Sequence, residues 1–247
     1  MKWFLRASWA LLLRDWRLRF RRTVLGALWF LLPLLSMVGA ALYVGEGVGL
    51  YDTSAPGGRA HHAVRLLAGL TWWQVFAQAW LEPLRLSRRA AMLLRAVPFD
   101  ARVLLGAGRL SALTALVLRL PVIAVAWWWA GASPAPQAWL LPLGLVALLA
   151  CGAALACVCL PLGLALHDLR YALPLLQFAW LFVTPVFHDP APGGWLERLN
   201  RFNPLAALVP PLRDALTGAP VDGLAIVLAA VFAVAVLLPG LAYYRAR

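Results

Sequence analysis

Residues 139–166 contain no charged, amide or hydroxyl side chain over 28 consecutive positions. A stretch that long and that apolar has few ways to fold. About 20 predominantly apolar residues cross the roughly 30 Å hydrocarbon core of a bilayer as one helix, whose backbone hydrogen bonds are all satisfied internally. Five more runs are bounded by charge or turn residues, at 24–44, 66–84, 110–129, 172–187 and 224–244, so the pattern predicts six spans. The fifth is short and holds Pro185, which predicts a kink or a re-entrant continuation. Composition points the same way: 63% of residues are hydrophobic and 13% charged, with a mean hydropathy of +0.79, against about 25% charged in soluble domains. An all-α integral membrane fold is expected. A soluble enzyme, a disordered tail and a secreted disulfide scaffold are excluded.

The basic residues set the expected orientation, because Lys and Arg stay on the cytoplasmic side. Seven precede residue 24 (Lys2, Arg6, Arg14, Arg17, Arg19, Arg21, Arg22), six lie between 85 and 109, and Arg170, Arg245 and Arg247 join them. The other side holds Arg59, Arg65, Arg198, Arg201 and Arg213, together with six acidic residues. Both termini are therefore expected in the cytoplasm. The pI of 11.1 raises nucleic acid as a partner, but arginines at the inner ends of apolar spans are explained by topology and anionic lipid. No nucleic-acid partner is expected. Lys2 is the only lysine, so the chain holds no G-x-x-x-x-G-K phosphate loop. Arginines throughout the first 22 residues argue against a cleavable leader.

Cys151, Cys157 and Cys159 share one apolar run and read as small core residues. His61, His62 and His188 fall on the outer side without an acidic cluster, so no metal site is expected. There is no internal repeat. The polar stretches at 45–65, 85–109 and 188–223 leave no room for a catalytic domain outside the bilayer.

Several segments stand out within that frame. In residues 1–23, Leu5, Trp9, Leu12, Trp16 and Phe20 recur at helical spacing while Arg6, Arg14, Arg17 and Arg21 fall on another face, predicting an amphipathic helix in the inner interface. Trp72, Phe76 and Trp80 recur at i, i+4 and i+8, and Phe178 and Phe182 at i and i+4. Such stripes either line a channel, where ring faces stack on sugars, or pack helices together. Trp127, Trp128, Trp129 and Trp139 read as an aromatic belt. Arg119 sits near the middle of the third run, where a lone arginine costs about 2.5 to 3.5 kcal/mol on insertion scales. It needs a lumen, a lipid phosphate or an ion-pair partner, and Glu82 is a candidate if the depths match. Residues 188–223 are too apolar for a free loop and too broken by Pro and Gly for a span, which predicts short helices dipping into the outer leaflet.

The stretch with Arg14, Asp15, a basic-aromatic run, then Leu25-Gly26-Ala27-Leu28-Trp29 resembles the N-terminal signature of the permeases of type-2 ABC exporters of polysaccharide, O-antigen or teichoic acid. Gly69-Leu70-Thr71-Trp72-Trp73-Gln74-Val75-Phe76 is similar to that family's second-span opening. Asp168-Leu169-Arg170-Tyr171 is similar to its inner loop, with His167 where the family has arginine. Thr184-Pro185-Val186-Phe187 and Asn203-Pro204-Leu205, then Arg213 and Gly218, are similar to its fifth-span end and following segment. The resemblance spans residues 14 to 218 in order. It implies a single transmembrane domain over 1–247, with an interface helix at 1–23, an inner coupling loop at 85–102 and an outer gate at 188–223. It also implies a homodimer in a bacterial inner membrane, exporting a lipid-linked glycan, with a separate ABC ATPase subunit that binds ATP and Mg. No cofactor is expected on this chain. In that family the ATPase docks on the inner loop, here carrying Leu93, Leu94, Val97 and Phe99 with Arg88, Arg89 and Arg95 around them. Two alternatives stay open: the same architecture exporting a drug, haem or lipid, and a membrane enzyme acting on a lipid-linked sugar, for which His167 and Asp168 form the one inner pair.

Overall fold

The computed structural model describes residues 2–21, 23–24, 26–47, 58–90, 100–187, 189–190 and 192–245. Among them there is no strand. The described residues form nine helices, in order α1 (Lys2–Phe20), α2 (Leu32–Gly47), α3 (Gly58–Arg89), α4 (Ala101–Trp129), α5 (Leu141–Ala165), α6 (Leu169–Val183), α7 (Trp195–Asn200), α8 (Val209–Thr217) and α9 (Gly223–Arg245). Short 3₁₀ turns at Gly26–Phe30 and Pro136–Leu140 lead into α2 and α5.

Helix α3 is the axis of the molecule. It packs against α2, α4, α5 and α8 and is buried along most of its 32 residues, a length of about 48 Å at 1.5 Å per residue. Close approach to its neighbours depends on residues without side chains. A Cβ on Gly152 of α5 would lie 2.7 Å from both the Phe76 carbonyl oxygen and Ala79 Cβ, and one on Gly108 of α4 would lie 2.6 Å from the Pro83 ring. Small residues at such crossings let helix backbones approach where no water drives association. Helix α9 packs on α5, and α1 lies against α4, where Ser8 Oγ donates to the Val103 carbonyl at 3.2 Å.

Three helices are long and apolar enough to cross a membrane: Ala101–Trp129, Pro136–Ala165 and Gly223–Ala242. They match the third, fourth and sixth expected spans and fit a transmembrane protein. The remaining expected spans differ in form. Residues 24–44 are not one helix: Gly26 turns with φ +47° into the 3₁₀ segment, and α2 begins beside Pro33, whose fixed φ suits a first helical turn. The 14 apolar residues of Leu32–Gly45 reach only about 21 Å. The fifth run is likewise short, the 15 residues of α6. The second run lies inside α3 but is less apolar than the three long spans. Helical neighbours surround it, and Gln74, Gln78 and Glu82 turn toward an internal cavity.

Each of α3, α4, α5, α6 and α9 contains a proline, a residue that membrane helices tolerate because neighbouring helices re-satisfy the freed carbonyls. Helix α4 starts where Asp100 caps it, its carboxylate accepting from the Arg102 backbone N–H at 2.8 Å. Residues 188–223 contain two short helices, α7 and α8, as their proline and glycine content predicts.

Candidate functional site

The C-terminal end of α3 carries the first cluster. Arg88 and Arg89 occupy its last turn, where cations are favoured by the helix dipole. Arg89 Nη1 donates to Asp15 Oδ1 at 2.8 Å and Oδ2 at 2.6 Å, and its Nη2 to Glu82 Oε1 at 3.3 Å. Arg85 adds an ion pair to Glu82 at 3.6 Å. Asp15 and Glu82 are both buried, so charge-assisted bonds of this kind are needed to offset their desolvation. Asp15 faces inward because Ser8, Leu11, Leu12 and Asp15 form the buried face of α1, next to the aromatic stripe that periodicity picks out. Leu5 and Trp9 of that stripe are exposed, as are Arg6, Arg14, Arg17 and Arg21. Arg89, expected in the ring around the docking loop, is bonded into this network. Arg88 stays near Arg170, whose charge, after burial, holds the Arg88 guanidinium below its usual value. Arg170 itself stacks 4.5 Å above the Tyr171 ring, and Tyr171 and Asp168 are exposed. Leu93, Leu94, Arg95, Val97 and Phe99 lie outside the described residues.

A polar cavity of about 260 Å³ opens beside this cluster. Gln74, Gln78 and Glu82 line it from α3, Ser111 and Arg119 from α4, Gln177 from α6, and Trp29 and Pro33 from the entry to α2. Arg119 is only 2% exposed, and its Nε and Nη1 have no partner. The expected pair with Glu82 does not form, since Glu82 is bonded to Arg85 and Arg89 instead. Gln74 and Gln177 enter the sequence reading only as members of the family resemblance, and Gln78 not at all. Gln74, Gln78 and Glu82 repeat at i, i+4 and i+8, offset by two residues from the aromatic stripe on the same helix, and that spacing was the available signal.

The aromatic stripe of α3 has a different fate. Trp72, Phe76 and Trp80 are buried, and Trp180 of α6 packs edge-on against Phe76 at 5.5 Å, Trp80 at 5.7 Å and Trp73 at 6.4 Å. All three are buried core of this chain, and the Trp180 indole fills the space that Phe76 and Trp80 face. Phe178 and Phe182 lie on the other side of α6, exposed and in edge-to-face contact at 5.0 Å.

The opposite end of the bundle, by the N-terminal part of α3, holds a second cluster. Trp180 Nε1 donates to Asn203 Oδ1 at 3.1 Å, and Asn203 Nδ2 donates to Thr184 Oγ1 and Asn200 Oδ1, each at 3.0 Å. Buried Asn203 therefore ties the end of α6 to the segment opened by Pro204. Beside it, Arg213 donates to Asp214 at 2.8 Å and to Asp189 at 2.9 Å, and Arg65 donates to both carboxylates at 3.2 and 3.4 Å. Burial alone would raise the Asp189 carboxyl, but hydrogen bonds and charge from Arg213 and Arg65 more than offset this and hold it below the usual range. His62 is pushed down to about 4 by burial and then by the charges of Arg65 and Arg213. A Cβ on Gly69 would lie 3.3 Å from the Val186 side chain and carbonyl, so this absence of a side chain brings α3 under the same cluster. A shallow cleft of about 910 Å³ opens outward from it, between the 185–210 segment and Leu228 and Phe232 of α9.

Asp15 therefore belongs to the Arg89–Glu82 network and Trp29 to the polar cavity, whereas Asn203 and Pro204 belong to the second cluster. Arg14 is exposed, and Gly26 makes its turn in open space. Among the described residues no three of His, Cys, Asp or Glu converge as metal ligands. Cys151 and Cys157 are buried thiols, and Cys159 Sγ accepts from Trp80 Nε1 at 3.3 Å. No protein-family model matches the chain, and no curated protein matches it either.

Proposed function

We propose that this chain is the permease subunit of an ATP-driven ABC exporter that moves a lipid-linked polysaccharide, of the O-antigen, capsule or teichoic-acid type, across a bacterial inner membrane. The observation that carries the reading is the Asp15–Arg89–Glu82 network. It clamps the N-terminal helix to the end of the central helix, where the chain leaves for residues 91–99. A loop pushed from the cytoplasm would then move α1 and α3 together, as a lever requires. In this reading α2, α6 and the middle of α3 complete six spans, α7 and α8 dip into the outer leaflet, and both termini are cytoplasmic. Two copies form the pathway, because six helices alone enclose little space. The cavity of about 260 Å³ is far too small for a polymer, so the glycan passes between protomers, where Phe178 and Phe182 are available as a stacking surface. The partner subunit binds and hydrolyses ATP, and this chain performs no covalent chemistry.

The test is co-expression with an ABC ATPase and purification of the pair in nanodiscs. A complex of two permeases and two ATPases should form, and Leu93→Asp or Phe99→Asp should abolish its assembly and its coupled ATP turnover. A chain that binds no ATPase, and is unaffected by those changes, moves the membrane-enzyme reading to the front.

A further inference from the structure

The cavity beside α3 holds a guanidinium with nothing to bond. Arg119 lies in the middle of an apolar helix, is 98% buried, and makes no hydrogen bond or ion pair with any described residue, with Nε and Nη1 sealed from solvent and unpaired. Leaving a buried donor unpaired costs about 1–3 kcal/mol, more when it is charged. Side chains at such a position are retained at that cost where they meet a ligand or a partner.

The surroundings specify the ligand's charge. Glu82 faces the cavity, but Arg85 at 3.6 Å and Arg89 at 3.3 Å meet its charge, and Asp15 is held by Arg89 at 2.6 Å. Of the two arginines that line the cavity, Arg85 is paired with Glu82 and Arg119 is not, so Arg119 is the cation that faces the cavity without a carboxylate among the described residues. The remaining polar lining is neutral and can donate: Gln74, Gln78, Gln177 and Ser111. Gln78 Oε1 is itself buried without a partner; it is an acceptor, so only the Nε2 side of this amide can serve an anion, while Oε1 calls for a water or a protonated phosphate oxygen. A cavity of about 260 Å³ holds several waters, each near 30 Å³ in the liquid, or one small oxyanion group. A guanidinium fork with neutral N–H and O–H donors around it is the arrangement that recognises phosphate oxygens in two-pronged fashion.

We propose that Arg119, with Gln78 and Ser111, forms a binding site for a single phosphate group in this cavity. The group belongs either to the head of a phosphate-bearing lipid or to a free phosphate. The inference rests on α4 lying in the membrane and needs neither the ATPase nor the glycan.

Thermal unfolding of the full chain, purified in an uncharged maltoside detergent, tests it. One arm titrates inorganic phosphate against chloride at matched ionic strength. The other titrates phosphatidylglycerol against an uncharged glycolipid in mixed micelles. The site predicts a saturable rise in unfolding temperature with at least one phosphate probe and none with its control. Saturation by inorganic phosphate identifies a site open to the free ion, and saturation by phosphatidylglycerol alone a lipid-headgroup site. Arg119→Met should weaken the apparent affinity roughly thirtyfold or more, while the ligand-free variant is at least as stable as the parent, since an uncompensated charge has been removed. Gln78→Leu and Ser111→Ala should weaken binding more modestly, and they test the same cavity without removing the charge. The proposal is overturned if neither phosphate probe shifts the parent protein, if Arg119→Met responds as the parent does, or if ligand-free Arg119→Met is markedly less stable, the mark of a purely structural arginine. Phosphate binding by a chain that docks no ATPase keeps the site and removes the exporter reading; the converse result does the opposite.

Discussion

Arg89 shows how one side chain joins distant parts of the sequence. Its removal leaves Asp15 and Glu82, both buried, short of a cation. Breaking a buried ion pair from one side costs about 3–5 kcal/mol, and the 39% exposure of the Arg89 side chain places Arg89→Ala below that range, at roughly 2–3 kcal/mol. Asp15→Asn should cost less, because Arg89 keeps Glu82. Chemical unfolding in detergent measures both, and a loss under about 0.5 kcal/mol for Arg89→Ala, the scale of an ordinary surface change, would contradict the network. His62 gives a pH signature. Its folded-state pKa is about 4 against 6.5 ordinarily, so the unfolded chain takes up the proton first as pH falls. Its contribution is intact above pH 6.5 and is lost progressively between 6.5 and 4. Arg65, Arg213, Asp189 and His61 surround it, and Asp189, held below 3.8, keeps its charge through that window. Unfolding temperature should therefore drop as pH is lowered from 6.5 to 4, and His62→Gln should flatten the slope.

Among the elements, α4, α5 and α9 were plain in the sequence because an uninterrupted apolar run has one economical fold in a bilayer. The entry to α2 was not, because Gly26 adopts a left-handed turn that hydropathy cannot register. The burial of Trp72, Phe76 and Trp80 was also beyond periodicity, which finds a stripe but not the neighbour it meets. That neighbour, Trp180, is a hundred residues away and is fixed by Asn203. The polar stripe of Gln74, Gln78 and Glu82 was legible by the same spacing rule, but an aromatic pattern on the same helix drew the assignment. Helix contacts give a prediction of opposite signs. Gly152→Val drives a side chain into the α3 backbone and should cost about 1–3 kcal/mol by overpacking. Gly39→Ala on α2, where a Cβ meets nothing within 4 Å, should be neutral or stabilise by roughly 0.5–1 kcal/mol. Unfolding in detergent reads both, and equal effects would mean that the α3–α5 approach is not as close as described.

At the scale of the whole molecule, α3 connects two polar clusters: the carboxylate–arginine network of Asp15, Glu82 and Arg89 at its C-terminal end, and the Arg65–Asp189–Arg213–Asp214 network at its N-terminal end. The central helix is thus anchored at both ends, in a bundle with exposed apolar faces on α4, α6 and α9. The exporter reading makes a direct demand on this architecture. Proteoliposomes containing the chain, an ABC ATPase and a lipid-linked glycan should carry the glycan to the opposite leaflet when ATP is supplied, at a rate that falls to background with Arg89→Ala or without the ATPase. Glycan movement indifferent to ATP and to Arg89, or chemical alteration of the lipid-linked sugar by the chain alone, would contradict the account.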